Sequence, residues 1–385
     1  MNARLGFFYR KAGIPASQRP ANGGWIYGGH LFPDGASARI FRPDVPVRQN
    51  PEWSGSTRLT RGNNVSVYYS ALAFNRETPT SPDITPAVAI IARADGHIHA
   101  DANRVWFTGF DKHLPLLEPD GVWYQTGQQN FFYNFRDPYV FVDPARPNET
   151  YMVFEGNTAG PRGAPTCTAE DLGYAPGDPS AESVEAVNAS SAVVHKANVG
   201  LAIATNRQLT EWKFLPPILS ANCVNDQTER PQIYLANGKY YLFTITHRHT
   251  YATGVDGPDG VLGFVGNGIR SDFLPMNHGS GLVLGNPTDL TQPVGTPAAL
   301  HPNQNPRTFQ SYSHYVMPGG LVTSFIDAIG PRRGGSEAPT VKINIGLTET
   351  AIDRTYGNNG LGGYGDIPAT QPARGPAGPR PERGQ

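Results

Sequence analysis

Two short acidic motifs carry the residue types that could do chemistry. Arg136, Asp137 and Pro138 interrupt an aromatic, strand-like run at 131–143 (FFYNFRDPYVFVD). Because proline cannot donate to a sheet ladder, Asp137 is predicted to lie where a strand meets open space. Asp-Pro is also ordinary turn chemistry, so a surface turn is the alternative. The second motif, 226–231 (DQTERP), again ends beside proline and precedes strand-like residues, which favours one shared pocket.

Paired carboxylates of this kind suit the cleavage of a glycosidic bond. The leaving oxygen must be protonated while a second carboxylate supports the oxocarbenium-like transition state. Glu229, in the second motif, is our candidate for the proton donor, a role that needs a pKa raised by partial burial or by a neighbouring carboxylate. The alternative is a solvated ion pair between Glu229 and Arg230.

Four separate motifs resemble one enzyme family. They are 52–56 (EWSGS), 135–138 (FRDP), 154–157 (FEGN) and 226–231 (DQTERP). In this order the chain resembles the levansucrases and inulosucrases of glycoside hydrolase family 68, with motifs closest to levansucrases of Gram-negative, acetic-acid-type bacteria. The resemblance implies a five-bladed β-propeller whose inner strands point carboxylates into a central funnel. It also implies a retaining fructosyltransferase that takes sucrose, releases glucose and passes fructose to β-2,6 fructan, to sucrose or to water.

The resemblance also assigns roles to the charged residues. Glu229 corresponds to the general acid/base, and Asp137 to the transition-state stabiliser that holds fructosyl hydroxyls. Arg136 offers a planar fork for sugar hydroxyls or for a carboxylate. The alternative for Arg136 is a structural bridge to Asp143 or Glu155.

The other substrate-binding candidates rest on the same resemblance. A Trp face stacks on the apolar side of a sugar ring and an adjacent Ser hydroxyl donates a hydrogen bond, which is the interpretation of Trp53 and Ser54. A buried core Trp is the alternative. Gln227 stands where Gram-positive relatives carry an acidic residue. The predicted substrate-binding set is Trp53, Ser54, Arg136, Glu155, Gln227, Arg230 and His247.

His247 occupies the place of an acceptor-subsite residue that is His in many Gram-negative levansucrases and Arg in others. His247 and His249 lie two apart on a predicted strand and would share one face, a pattern that also suits a metal. Because no third ligand has suitable spacing and the chemistry needs no metal, we expect neither metal nor cofactor. Gram-positive relatives hold a structural calcium, and the cysteine pair here is the alternative brace.

The chain has two cysteines, Cys167 and Cys223. Their spacing alone leaves free thiols and a bond equally open. The family resemblance implies export, which favours a disulfide. Such a bond would tie the Gly/Pro-rich stretch 156–180 to the residues just before Glu229.

The family's nucleophile is an Asp in a Trp-Asp-Ser/Thr-Trp-Pro stretch, on the first strand of the first blade and upstream of the segment that matches 4–10. None of the five tryptophans here is followed by Asp. The strand-like run 5–9 (LGFFY) has no room before it for the strand it should pair with. We therefore expect an N-terminally truncated chain with an incomplete first blade. We also expect it to be inactive, because retaining chemistry forms a covalent fructosyl-enzyme through that Asp.

The elements that must position these residues are predicted to be strands. Strand-like runs recur along the chain with few stretches of helical period, and Asn237-Gly238 and Asp95-Gly96 are strong hairpin signals. The pattern predicts an all-β fold; sandwich, barrel and propeller all fit it. Long polar loops without a dominant alternation favour radially arranged small sheets. The clearest runs are 64–74, 86–93, 139–154, 199–205, 232–246, 310–327 and 340–348.

Two regions are predicted: a catalytic propeller at 1–350, and a Gly/Pro-rich C-terminal segment and tail at 351–385. Pro and Gly at the density of the last residues cannot bury a core, so an extended tail is expected. Leu361 and Tyr364 favour packing of 356–366 along the propeller.

Composition excludes some classes of partner. The formal net charge of −1 over 385 residues gives no electrostatic case for nucleic acid or an anionic membrane. No apolar run is long enough to span a bilayer. The start, MNARLGFFYR, lacks the apolar region of a secretory signal, so an extracellular or periplasmic location rests on the resemblance alone. The expected partners are sucrose and fructan acceptors, bound by a monomer.

Two rival interpretations remain. An inulosucrase or a β-fructofuranosidase would share every motif above. A non-catalytic remnant that binds sucrose or fructan without chemistry is the rival of another class.

Overall fold

A computed structural model gives the structure of most of the chain. The described residues are 3–15, 18–19, 23–45, 47–75, 87–163, 167–168, 170–172, 174–175, 192–253, 255, 257–285, 309–329 and 332–367. Within them, 21 strands form five antiparallel sheets. The helices in this part of the chain are short 3-10 turns at Ser37–Ile40, Arg61–Asn63, Glu170–Leu172, Ala192–Val194 and Arg248–Thr250.

The sheets follow one another along the sequence. The first has two strands, β1 (Gly6–Tyr9) and β2 (Ile26–His30). The second has β3 (Glu52–Leu59), β4 (Asn64–Ala73), β5 (Val88–Ala100) and β6 (Val105–Leu117). The third has β7 (Phe135–Val142), β8 (Thr150–Asn157), β9 (Lys196–Ala204) and β10 (Trp212–Asn222). The fourth has β11 (Glu229–Ala236), β12 (Lys239–Thr246), β13 (Gly260–Gly266), β14 (Leu274–Pro275) and β15 (Leu282–Gly285). The fifth has β16 (Phe309–Met317), β17 (Leu321–Ile329), β18 (Arg332–Glu337), β19 (Pro339–Ile345), β20 (Thr350–Ile352) and β21 (Leu361–Tyr364).

Apolar clusters join each large sheet to the next. Tyr68 of β4 shares a buried cluster with Phe154 of β8, and Tyr151 of β8 shares another with Leu242 of β12. A further cluster joins β12 to β16 and β19. Strands packed on both faces need near-continuous apolar runs, which is why β4 reads NVSVYYSALA and shows little alternation. This face-to-face succession of sheets is a β-propeller, so the all-β and propeller predictions are confirmed.

The first strand of each large sheet lies toward the centre. Contacts between the sheets run mainly through β3, β7, β11 and β16. We call the central space that these four strands surround the funnel. Four sheets have four or more strands and one has two, so the structure does not by itself establish the predicted five blades or an incomplete first blade.

One of the two hairpin predictions is confirmed and the other is wrong. Asn237 and Gly238, both at positive φ, join β11 to β12 as predicted. Asp95 and Gly96, by contrast, lie inside β5, where the ladder shifts register. A Cβ on Gly96 would lie 2.6 Å from the carbonyl oxygen of Thr108, so close strand packing, rather than a turn, explains this glycine.

The C-terminal segment is partly built into the last sheet. Leu361–Tyr364 pairs with β19, and the Thr340 hydroxyl donates to the Asp366 carbonyl at 2.8 Å. The predicted extended tail falls at 368–385, outside the described residues. In the described part of the chain, none of the helices has the length and apolar character needed to cross a membrane.

Candidate active site

Arg136 is the centre of the charged cluster at the funnel. Its guanidinium lies 2.6 Å from an oxygen of Glu155 and 2.7 Å from an oxygen of Glu229, and Nη1 donates to Asn134 Oδ1 at 2.6 Å. Its Nε is 4.0 Å from Asp137 Oδ2. One cation is therefore shared by three carboxyl groups that come from β7, β8 and β11. The predicted bridge to Glu155 is present, while Asp143 bonds instead to the Tyr240 hydroxyl.

Backbone bulges aim two of these residues away from their ladders. The pairing register shifts between Arg136 and Tyr139 in β7 and between Glu229 and Gln232 in β11. Within these two shifts, Asp137 and Arg230 have φ of +60° and +47°. Proline follows each of them and cannot donate to the ladder. A bulge beside a site commonly re-aims a side chain, and here it places both motifs at the centre of the propeller.

Asp137 is fixed by bonds to two other sheets. Its Oδ2 accepts from the Arg230 N–H at 3.1 Å, and its own N–H donates to Ser70 Oγ at 2.7 Å. The Ser70 hydroxyl in turn donates to the Ser54 carbonyl at 3.0 Å. Asp137 Oδ1 is buried without a hydrogen-bond partner among the described residues. The position of this carboxylate therefore depends on β3, β4, β7 and β11 together.

Burial and crowding favour the protonated carboxyls. Burial raises the pKa of Glu155 well above its ordinary value; Arg136 opposes this effect, while Glu229 and Asp137 add to it. The pKa of Asp137 is also raised by burial, against the lowering effect of Arg136. Since one guanidinium serves three carboxyls, the cluster holds a proton to higher pH than isolated carboxyls would.

Glu229 is the more accessible carboxyl of the Arg136 pairs. Its side chain is 14% exposed, against 0% for Glu155. Its ion pair is with Arg136, which replaces the solvated pair with Arg230 that we considered. An acid/base group must reach the substrate, so this geometry is compatible with the predicted role of Glu229, and Glu155 is better placed to hold Arg136.

Trp53 and Ser54 lie on β3 at the same site. The Arg136 guanidinium carbon is 5.6 Å from the centre of the Trp53 ring, within cation–π range. Ser54 lies at the register shift between Trp53 and Gly55. Both residues are partly buried, so Trp53 belongs neither to an open surface nor to a sealed core.

The segment before β11 holds the second motif in place. The Thr228 N–H donates to Glu155 Oε1 at 3.3 Å, and its hydroxyl donates to the Asn198 carbonyl at 2.8 Å. The Gln227 N–H donates to Asn225 Oδ1 at 3.0 Å. Gln227 Oε1 is buried without a hydrogen-bond partner in the described part of the chain. These bonds hold Gln227 and Thr228 in place directly before Glu229, the first residue of β11.

The prediction that His247 and His249 share a strand face is wrong. β12 ends at Thr246, and His249 lies in the 3-10 turn that follows. The Arg248 N–H bonds to Asp259, and His247 Nδ1 lies 3.7 Å from the same carboxyl group, which stops the strand here. The two rings still lie 5.1 Å apart. Among the described residues, no group of His, Cys, Asp or Glu is arranged to hold a metal ion.

Cys167 and Cys223 form a disulfide, with Cα atoms 5.6 Å apart. The bond is buried in a small cluster with Ala192 and Ala252. Cys223 follows β10 and precedes the 226–231 motif, so the disulfide braces the loop that carries Glu229. Much of the loop on the Cys167 side, at 176–191, lies outside the described residues.

Two residues that hold the site were not found from the sequence. Asn134 accepts from Arg136 and donates to the Asp226 carbonyl at 2.6 Å, joining the two motifs. Ser70 links Asp137 to β3. Ser70 could have been suspected as a site residue because it is a serine inside the apolar run of β4. For Asn134 the sequence offers only its position two residues before Arg136.

Comparison with known proteins gives one family. The profile of the levansucrase/invertase family, glycoside hydrolase family 68, matches residues 1–368. The levansucrase of Gluconacetobacter diazotrophicus is 64% identical over 373 residues, which cover 96% of this chain and 64% of that protein. The chain thus spans somewhat less than two thirds of that relative. A levansucrase of Zymomonas mobilis is 41% identical, with 95% of this chain and 74% of the relative covered.

Solved structures agree with this assignment. The crystal structure of levansucrase from Gluconacetobacter diazotrophicus superposes with a TM-score of 0.86 at 64% identity, over 96% of this chain and 75% of that one. The catalytic domain of the β-fructofuranosidase from Microbacterium saccharophilum K-1 gives a TM-score of 0.86 at 55% identity, over 95% and 76%. The chain therefore belongs to the levansucrase/invertase family, glycoside hydrolase family 68.

Proposed function

We propose that this chain carries a fructosyl-transfer site for sucrose, with a retaining mechanism that releases glucose and passes fructose to fructan, sucrose or water. The observation that carries the proposal is the cluster of Asp137, Glu155 and Glu229 on the single guanidinium of Arg136. Levan is the preferred product class, because both the motifs and the relatives are those of levansucrases.

The proposed roles are those that the family resemblance implies, and accessibility and charge support them. Glu229 protonates the glucosyl oxygen as the bond breaks, and it later accepts a proton from the acceptor. Asp137 lies deeper and holds fructosyl hydroxyls while positive charge grows at the anomeric carbon. Glu155 keeps Arg136 in place, and Arg136 orients Glu229. Trp53 stacks on the sugar, and Arg230 offers donors to its hydroxyls.

The proposed mechanism also requires a nucleophile. Retaining chemistry needs a carboxylate that attacks the anomeric carbon, and the family motif that supplies it, Trp-Asp, does not occur in these 385 residues. We propose that the chain as printed binds sucrose without turning it over at the rate of its relatives. A site that binds sucrose without chemistry is thus the second candidate, and the lack of the Trp-Asp motif in these 385 residues is the observation that favours it.

The two-stranded sheet is proposed to be part of a fifth blade. Phe7 of β1 packs on Phe107 of β6 with ring centres 4.8 Å apart, and Arg10 forms an ion pair with Asp366 at 3.3 Å. This sheet thus contacts both the β3–β6 sheet and the segment beyond β21, which is where a closing blade would lie. Asp366→Ala should lower the melting temperature; an unchanged value would argue against this closing contact.

The proposed cellular location rests on the disulfide and on one relative. An extracellular or periplasmic location fits the buried disulfide and a Zymomonas mobilis relative named extracellular sucrase. A monomer that binds sucrose and fructan acceptors is expected. Sedimentation of the purified chain with and without sucrose tests the monomer.

Glucose release from sucrose tests the function. We would compare the chain as printed with a chimera that carries, ahead of residue 1, a segment with the family's Trp-Asp-Ser/Thr-Trp-Pro motif. The chimera should release glucose and form fructan, while the printed chain should bind sucrose only. Equal rates would mean that another carboxylate is the nucleophile. A chimera without activity, together with a printed chain that does not bind sucrose, would contradict the proposed function.

A further inference from the structure

The four strands that surround the funnel break register at corresponding places. In three of them the break carries a residue of the candidate site: Ser54 on β3, Asp137 on β7 and Arg230 on β11. β16 has the same kind of break, between Tyr312 and Tyr315. The residues at this fourth break are Ser313 and His314, which have no role so far.

Two contacts place the break of β16 at the height of the others. The ring of Tyr139, two residues beyond Asp137, lies 6.2 Å from the ring of Tyr315. The Gln232 amide, two residues beyond Arg230, donates to the Val316 carbonyl at 2.9 Å and accepts from the Val316 N–H at 2.8 Å. Counting back two residues from Gln232 and Val316 brings His314 level with Arg230, and the same count from Tyr139 and Tyr315 brings the neighbouring Ser313 level with Asp137.

His314 is buried, and one of its two ring nitrogens has no hydrogen-bond partner among the described residues. The residue is 7% exposed, and its Nδ1 is closed off from solvent with no hydrogen-bond partner in the described part of the chain. Burial lowers the pKa of His314 to about 4, and the nearby charge of Arg230 acts in the same direction. The imidazole is therefore neutral near pH 6, with one nitrogen that donates and one that accepts. Buried polar groups without partners are rare, and a functional role is one of the recognised explanations for them.

We propose that His314 is a further substrate-binding residue, whose neutral imidazole exchanges a hydrogen bond with a hydroxyl of bound sucrose beside Arg230. The inference rests on the proposed sucrose site and names a contact on the fifth sheet, whose other described residues have no role in that site. A sugar hydroxyl both donates and accepts, so it suits a neutral imidazole better than it suits an imidazolium.

The direct test follows the ring nitrogens of His314 by NMR of the 385-residue chain labelled with ¹⁵N-histidine, at pH 6.5, with His314→Gln used for assignment. Saturating sucrose should shift the His314 nitrogens and the Trp53 indole signal with the same dissociation constant. A shift of Trp53 without one of His314 would overturn the inference alone. If neither signal moves, the proposed sucrose site fails and the inference fails with it.

Three variants separate a contact from a structural role. His314→Phe removes both nitrogens and should weaken sucrose binding about tenfold, whereas His314→Gln keeps a donor and an acceptor and should stay within about threefold. His278→Gln, at an 86% exposed side chain, is the control and should bind as the unaltered chain does. If His314→Phe lowers only the melting temperature and the folded protein binds sucrose normally, His314 is structural and the inference is overturned.

Discussion

Arg136→Met tests the electrostatic account of the cluster most directly. The substitution keeps an unbranched apolar stem but removes the guanidinium that lies 2.6 Å from Glu155 and 2.7 Å from Glu229. Removing one partner of a buried pair costs about 3–5 kcal/mol, because the other charge stays buried without compensation. Glu155, at 0% exposure, is the group left in that position.

The loss should depend on pH in a defined direction. Arg136 opposes the rise in the pKa of Glu155, so its removal raises that pKa further. When the pKa of a carboxyl is higher in the folded protein than in the unfolded chain, about 4.3 for Glu, the free energy of unfolding falls as pH rises from the unfolded pKa towards the folded pKa. Each added pKa unit is worth about 1.4 kcal/mol. The destabilisation should therefore be small near pH 4 and approach its full size at pH 8.

The assay is urea unfolding at pH 5 and pH 8, followed by tryptophan fluorescence. Arg136→Met should lose at least about 1 kcal/mol more at pH 8 than at pH 5, and Arg136→Met with Glu155→Gln should recover half or more of the loss. Arg104→Met is the control, because its 66% exposed side chain pairs with Asp101 at 3.6 Å and should cost under about 1 kcal/mol. An equal loss at both pH values, or no recovery in the double variant, would refute the shared-cation account.

Three further outcomes are expected. Reductant should lower the free energy of unfolding by about 2–5 kcal/mol, an effect that disappears when Cys167 and Cys223 are both Ser; thiol titration that finds two free thiols in the purified chain would contradict the bond. In the active chimera, Glu229→Gln should lower kcat by several orders of magnitude with little change in KM. Glu349→Gln, at a 59% exposed side chain, is the control and should leave kcat unchanged. A drop below about tenfold for Glu229→Gln would remove Glu229 from the acid/base role. In the same chimera, His247→Ala should change the ratio of fructan to free fructose while glucose release persists, and an unchanged ratio would place His247 outside the acceptor subsite.

The residues that could be predicted from the sequence are those whose chemistry is local. Asp137 directly precedes Pro138 and Glu229 precedes Pro231 by two residues, so each motif places a carboxylate near a residue that cannot donate to a sheet ladder. The all-β class follows from runs of strand-forming residues, such as those of β4 and β12, which recur along the chain. These signals do not depend on which strands meet in space.

The predictions that failed, and the contacts that were missed, depend on tertiary packing. Asp95-Gly96 has hairpin chemistry, but the Thr108 carbonyl opposite makes Gly96 a close-packing position inside a strand. β12 ends before His249, where Asp259 accepts a hydrogen bond from the Arg248 N–H. The spacing of the two histidines does not indicate this contact. Ser70 and His314 lie near the site because of the order in which the sheets surround the funnel. The sequence pattern of their own strands does not indicate that order.

The bulges explain why this site cannot be assembled from one sheet. A non-glycine residue at positive φ costs of order 1–2 kcal/mol, and both Asp137 and Arg230 adopt it. Neither conformation is supported by its own ladder, since the register is broken at each. The support comes from elsewhere: the Arg230 N–H bonds to Asp137, and the Asp137 N–H bonds to Ser70. Each strained residue is thus held by a neighbouring sheet. Closing the propeller is therefore what shapes the carboxylate cluster, and a loosened sheet would disturb the site before it unfolded the chain.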